Sequence, residues 1–130
     1  MPIDTFHTFS YPFRIMEDEI ESVLAEAPEF FALYRKLVID ADGHPGAAAT
    51  FAELARYVTW LLDEAERSHI SLTRCLDAVE KVVKTSENAE DLVVWSFFEG
   101  LGDRDAPRLN PWIGPKTRAL VIAAYEISPL

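Results

Sequence analysis

The stretch "DLVVWSFFEGLGD", Asp91 to Asp103, decides the fold class because its apolar residues cover every side of a helix. Between Val93 and Phe98, only Ser96 interrupts the run of large apolar side chains. A helix that is apolar all round is normally enclosed by neighbouring helices. We therefore expect this helix at the centre of an all-helical core. Trp95 and Phe98 belong either to that core, the favoured interpretation, or to a groove that a partner fills.

The segments on either side of this stretch have the apolar spacing of amphipathic helices, three to four residues apart. Helix starts are predicted near Ile15, Pro28, Thr50, Leu72, Thr85 and Pro115, the one near Thr85 with a cap in "TSENAED". A loop is predicted over residues 40–46, a turn over residues 67–71 and a helix C-cap at Gly102. Ser96 is small enough for another helix to approach closely, and the pair of Glu80 and Lys84 predicts an exposed helix face. Thr50 and Glu53 match a capping box, in which each side chain satisfies a free backbone N–H at a helix start. The pattern predicts an all-α fold of about six helices in a single domain. Antiparallel pairs, a bundle and a short solenoid-like stack all fit, with residues 15–127 as the helical core.

Residues 1–14 have a different pattern. Phe9, Tyr11 and Phe13 alternate with polar residues and Pro12, and strict alternation is typical of an extended segment with one buried face. Because proline lacks an N–H, this segment is predicted to be an extended N-terminal arm or edge rather than a central strand.

Composition limits the classes of partner. The chain has 130 residues, of which 22 are acidic and 12 are basic, giving a net charge of −10. This balance disfavours binding to nucleic acid or an anionic membrane, because phosphate contacts need Lys and Arg. It is compatible with a basic protein partner, and equally with acidity that only maintains solubility. No signal peptide and no run of about 18 apolar residues is evident, so a cytoplasmic location is expected.

No motif points to catalysis, a cofactor or a metal. The "DADGH" stretch at 40–44 fails as a calcium loop, because the sixth and twelfth positions hold Pro45 and Phe51 instead of Gly and Glu. The three histidines lie in separate segments, and Cys75 falls on an apolar helix stripe, as expected for a small buried hydrophobe. We therefore predict no catalytic residue, cofactor or metal site, although an enzyme with a site assembled by folding stays an alternative.

Two acidic clusters and one aromatic residue are the candidates for partner binding. They comprise Glu17, Asp18 and Glu21 on the first helix, Glu87, Glu90 and Asp91 at the start of the central helix, and Trp112 in a proline-bounded loop. Acidic residues also favour helix N-termini, which is a purely structural explanation. The functional one is an acidic surface for a basic protein, with Trp112 exposed as its anchor. Lys116 and Arg118 oppose the dipole of the last helix, which suggests a nearby anion, a carboxylate partner or an internal salt bridge.

The segments "FAELARYVTWLL", "VVWSFFEGL" and "GPKTRALV" resemble those of a group of small bacterial helical proteins, some of which are immunity proteins encoded beside secreted toxins. The resemblance covers roughly residues 28–125 and implies a helical fold and toxin neutralisation. It implies no catalytic residue, and it does not clearly include the N-terminal arm or the acidic first helix.

The leading hypothesis from the sequence is a non-enzymatic protein-binding module, most plausibly an immunity protein that occludes a basic toxin domain. A structural helical protein that self-associates, for example as a homodimer, through Trp60, Trp95 or Phe98 is the main alternative. An enzyme with an unrecognised site is the third.

Overall fold

A computed structural model describes the backbone of residues 11–43 and 45–127, and the side chains of residues 18–43, 45–64 and 68–125. Within these ranges the chain is helical and contains no strand, which confirms the predicted all-α fold. The helices are α1 Tyr11–Glu26, α2 Phe31–Asp40, α3 Gly46–Asp63, α4 Ala65–Thr85, a π-helix Glu90–Phe98, α5 Glu99–Asp105 and α6 Pro115–Ile127. Short 3₁₀ turns lie at Pro28–Phe30 and Ala106–Leu109. No described helix combines the length and the hydropathy needed to cross a membrane.

Helix α3 is the structural centre, since it packs against α1, α2, α4, α5 and the π-helix. Its spacing of apolar residues predicts this burial, and Phe51, Leu54 and Val58 are fully enclosed. The start of α5 comes especially close to it, because a Cβ added to Gly100 would lie 3.1 Å from the Cβ of Ala55. Glycine and alanine therefore bring the two helices together, a role that the sequence had suggested for Ser96.

The segment Glu90–Phe98 is wound as a π-helix, in which N–H groups reach carbonyls five residues back. The N–H of Glu99 donates to the carbonyl of Val94, and the Ser96 hydroxyl donates to the carbonyl of Asp91 at 3.1 Å. Longer π-helices are rare, and short ones are frequent at functional sites.

Burial follows the five-residue step. Leu92 and Phe97 are buried, as are Val93 and Phe98, and these pairs are five residues apart. Trp95, in contrast, is 41% exposed, so the prediction that it belongs to the core is wrong. Val93 and Phe97, and Val94 and Phe98, are four residues apart and buried as well, so most sides of this helix are enclosed, as its apolar sequence predicted.

Two predicted helix starts differ from the structure. Helix α1 begins at Tyr11 rather than at Ile15, because Pro12 fits the first turn of a helix, where its missing N–H costs nothing. Residues 1–10 of the predicted arm lie outside the described residues. Helix α3 begins at Gly46, one turn before Thr50, so the capping box is wrong. The alanines before Thr50 are strong helix formers, and its hydroxyl donates to the Gly46 carbonyl at 2.7 Å inside the helix.

Other boundaries also differ. The turn predicted around residues 67–71 is only a local break in α4, with non-helical backbone at Ser68. Gly102, predicted as a helix cap, adopts φ +83° and ψ 170° within α5, a conformation essentially restricted to glycine, and it kinks the chain there. The loop predicted over residues 40–46 is present, and α6 begins at Pro115 as predicted.

Glu80 holds the N-terminus of α6. The sequence predicted Glu80 on a solvent-exposed helix face, but it is buried. Its carboxylate accepts hydrogen bonds from the N–H groups of Lys116 at 3.0 Å and Thr117 at 2.9 Å and from the Thr117 hydroxyl at 2.8 Å. A Cβ on Gly114 would lie 2.5 Å from this carboxylate, so the close approach requires glycine. Glu80 is thus the anion that Lys116 and Arg118 suggested at this helix end.

The pKa of Glu80 lies below its ordinary value. Burial alone acts to raise it, but the N–H groups of Thr117 and Lys116, the Thr117 hydroxyl and the charge of Lys84 outweigh that effect. A carboxylate with a lowered folded-state pKa stabilises the fold fully above its unfolded pKa of about 4.3, and this contribution is lost as the pH falls through the folded-state value.

We predict that Glu80→Gln lowers the free energy of unfolding by about 2 kcal/mol at neutral pH, since hydrogen bonds to a charged group contribute about 1.5–3 kcal/mol. The difference from the wild type should shrink as the pH is lowered from about 6 to about 3. Urea unfolding across this range measures it, with Asp77→Asn on the exposed face of α4 as the control. A difference that does not change with pH would contradict the assigned charge.

We also predict that Phe97→Ala lowers the free energy of unfolding by about 3–5 kcal/mol, because this ring is fully buried. Trp95→Ala should cost only about 1 kcal/mol, since it removes a half-exposed ring and one aromatic contact. Urea unfolding of both variants measures the difference. Equal losses would contradict the burial pattern of the π-helix.

Candidate functional site

One residue from each of the two acidic clusters predicted from the sequence lines the same pocket. Asp18 on α1 and Glu87, in the turn between α4 and the π-helix, line the same pocket of about 200 Å³. Glu21 is exposed on α1, and Glu90 and Asp91 are exposed in the first turn of the π-helix. The side chain of Glu17 lies outside the described residues.

The floor of this pocket, called here the Glu19 pocket, contains a buried carboxylate. Glu19 is only 6% exposed, and its Oε2 accepts hydrogen bonds from the Ser86 hydroxyl and, at 3.3 Å, from the Asn88 side-chain amide. Its Oε1 and the hydroxyl of Ser22 are buried without a hydrogen-bond partner among the described residues. Val82, Thr85 and the rim carboxylates of Asp18 and Glu87 complete the lining.

Glu19 also positions the start of the π-helix. The Ser86 hydroxyl that donates to it accepts the N–H of Asn88 at 2.9 Å. The residue before the π-helix, Ala89, makes no side-chain cap hydrogen bond, and Ser86 instead ends α4, so the N-cap predicted in "TSENAED" is not present. Glu19 was not predicted as a site residue, although it lies between the acids of the first cluster. Its helical neighbours Met16 and Val23 lie on the apolar stripe, which was the available signal.

The exposed edge of the π-helix carries a second part of the acidic surface. Glu90 and Trp95, which are five residues apart, and Glu99, four residues further on, are exposed along one side. The Trp95 indole N–H donates to Oε2 of Glu90 at 3.2 Å, and the Trp95 ring meets Tyr125 edge-on, with centroids 6.1 Å apart. The Tyr125 hydroxyl donates to Oε2 of Glu99 at 2.9 Å. We call Glu90, Trp95, Glu99 and Tyr125 the π edge.

The hydrogen bonds of the π edge fix its aromatic rings. Partial burial, together with the hydrogen bond to Glu99 and the charges of Glu99 and Asp103, raises the pKa of Tyr125 to about 12. Tyr125 is therefore neutral at physiological pH and donates its proton to Glu99. The result is two rigid half-exposed rings between two carboxylates, an arrangement suited to a cationic side chain.

Trp112 does not occupy the position predicted for it. It is partly buried against the core, and its ring lies edge-on to His69 with centroids 4.9 Å apart. A loop between prolines suggested exposure, but the hydrogen bond of the Trp112 N–H to the Leu109 carbonyl at 2.8 Å turns this loop back onto the fold. Trp95, which was assigned to the core, is the more exposed ring.

Cys75 and the histidines bear on the alternative that the protein is an enzyme. Cys75 is fully buried, and burial followed by the charge of Glu29 raises the pKa of its thiol to about 12, so it is not a nucleophile at neutral pH. Among the described residues no group of His, Cys, Asp and Glu is arranged to hold a metal ion. His7 and His44 lie outside the described residues, and His69 contacts Trp112.

A separate apolar pocket lies on the surface formed by α2 and α3. Trp60 is 60% exposed and stacks on Tyr57 with centroids 6.2 Å apart. With Leu33 and the paired Glu53 and Arg56, these rings line a pocket of about 400 Å³. Phe98 is buried, so it is not available for self-association.

No family model, curated protein or solved structure matches this chain.

Proposed function

We propose that this protein is a non-enzymatic binding module for a basic protein, and that it acts in the cytoplasm as an immunity protein that occludes a bacterial toxin domain. The observation that carries the proposal is the meeting of one residue from each acidic cluster. Asp18 and Glu87 come from segments about 70 residues apart and line one pocket. The resemblance of the helical segments to immunity proteins supports the finer part of the proposal.

Charge makes a basic partner the best fit for this surface. Asp18, Glu21, Glu87, Glu90 and Asp91 are all exposed, and no described salt bridge neutralises any of them. Complementary charge of this kind speeds association and excludes acidic partners. In an immunity protein, fast association is useful because the toxin must be bound before it acts.

The π edge adds an aromatic contact to the binding surface, which the acidic residues do not provide. Binding energy concentrates on a few aromatic and arginine contacts shielded from water, and Trp95 is half-exposed and held by Glu90. Its ring is fixed before binding, so little side-chain entropy is lost on association. Trp95 therefore replaces Trp112 as the proposed anchor.

The test compares two variants of equal charge. Asp18→Lys with Glu87→Lys alters the acidic pocket, whereas Asp40→Lys with Asp77→Lys alters exposed residues that do not line it. Each replacement of an acid by lysine adds two charges, so both variants change the net charge from −10 to −6. We predict that the first variant associates with a basic partner at least about tenfold more slowly at low salt, and that the control changes much less.

The partner is first captured from the cells that produce the protein and eluted with a salt gradient, and association is then measured by stopped-flow fluorescence. Equal rates for the two variants would contradict the proposed surface. If wild-type protein captures no basic protein, the proposed function is wrong.

The exposed Trp60 favours self-association as a second candidate. Stacked on Tyr57 beside Leu33, it forms an apolar patch that a second copy could cover. In that case sedimentation should show a dimer that Trp60→Gln dissociates. A monomer at high concentration would exclude this candidate.

A further inference from the structure

We propose that the Glu19 pocket binds the guanidinium group of an arginine side chain. This inference rests on the proposed function, because the arginine would belong to the basic partner, and it names the chemical group that the acidic surface recognises. The evidence lies in the floor of the pocket, in its walls and in its rim.

The floor holds a buried carboxylate without a cation. Glu19 is 94% buried, and its described hydrogen-bond donors, Ser86 and Asn88, are both neutral. No described Lys or Arg forms a salt bridge with it. A buried carboxylate is costly unless it is paired and its remaining lone pairs are satisfied. The unpartnered Oε1 therefore indicates where a cation belongs.

Glu29 shows that an unpartnered oxygen alone does not make such a site. It also has a buried oxygen without a partner, but its other oxygen accepts from Ser71 at 2.8 Å and from Arg74 at 3.4 Å. Its charge is therefore already compensated within the fold. Of these two carboxylates, Glu19 is the more buried one and the one whose charge the described residues leave unpaired.

The number and variety of acceptors favour guanidinium over ammonium. Glu19 Oε1 and the Ser22 hydroxyl lie at the floor, and the carboxylates of Asp18 and Glu87 lie at the rim. Guanidinium offers five N–H donors in a planar fork, whereas ammonium offers three from one point. Val82 and the methyl group of Thr85 provide a wall for the apolar stem of a long basic side chain.

Entry of the guanidinium requires a small movement of the rim. Both unpartnered floor atoms are shielded from solvent, so side chains that line the pocket must move before the ligand reaches them. Ser86 and Asn88 share hydrogen bonds with Glu19, and their NMR signals should therefore report binding.

The test is a titration of the full chain with Nα-acetyl-L-arginine amide at low salt, followed by ¹H–¹⁵N NMR. We expect the signals of Ser86, Glu87 and the Asn88 side chain to shift with a dissociation constant on the order of 1 mM, which is typical of a ligand of this size. The lysine analogue should bind several-fold more weakly, and the neutral citrulline analogue should not bind. Equal binding of the lysine or citrulline analogue would overturn the assignment, as would the absence of shifts.

Variants locate the site. Glu19→Gln keeps the size of the side chain and should weaken binding about tenfold or more, since a charged hydrogen bond is lost. Glu53→Gln, which lines a different pocket, is the matched control and should bind as the wild type does. If Glu19→Gln does not fold, Asp18→Asn with Glu87→Gln tests the rim and should weaken binding similarly. Binding that none of these substitutions alters would overturn the proposal.

The Ser22 hydroxyl distinguishes ligand binding from internal rearrangement. Ser22→Ala removes a hydroxyl that has no described partner, so folding should be unaffected or improved, while affinity for the arginine amide should fall several-fold. Unchanged affinity would mean that the floor does not contact the ligand and would overturn the proposal. Because the probe is an amino-acid derivative, its failure to bind would leave the capture of a basic protein as a separate test of the proposed function.

Discussion

The five-residue hydrogen-bond step of the π-helix is the constraint on which both the core and the candidate surface depend. It buries Leu92, Val93, Phe97 and Phe98, and the same step brings Glu90 beside Trp95 at the exposed edge. With the usual 3.6-residue period Glu90 and Trp95 would lie about 140° apart around the helix axis. The close approach of Gly100 to Ala55 then fixes how the π-helix and the start of α5 pack on α3.

Two buried glutamates show how this acidic chain uses its carboxylates differently. Glu80 is saturated, because two backbone N–H groups and a hydroxyl at the N-terminus of α6 compensate its charge. It is a structural anchor. Glu19 accepts from two side-chain groups only, faces no helix N-terminus among these donors and retains an unpartnered oxygen, so it is better suited to receiving a cation from outside. Both glutamates are buried, so the helix N-terminus at Glu80 and the unpartnered oxygen of Glu19 distinguish the two roles.

The sequence predicted the helical class and most of the core, because the stripes of α3 and α4 follow a regular α period. The sequence-based prediction was wrong where an effect other than the α-helical period decided the structure. The π step moved Trp95 out of the core, the alanines before Thr50 extended α3 by one turn, and Glu80 found donors 36 and 37 residues away. The acidic clusters could be named from composition, but the meeting of Asp18 and Glu87 at one pocket depends on the packing of α1 beside α4, which no local pattern encodes. Glu19 was detectable from its place beside the apolar stripe.

The most direct test of the central claim is the detection of hydrogen bonds in the π-helix by NMR, through scalar couplings between amide nitrogens and carbonyl carbons. The account predicts a coupling between the amide of Glu99 and the carbonyl of Val94, five residues back. A coupling from Glu99 to Trp95 instead, four residues back, would indicate an ordinary α-helix. In that case the placement of Glu90 beside Trp95 would be wrong, and the hydrogen bond that holds the proposed anchor would be lost with it.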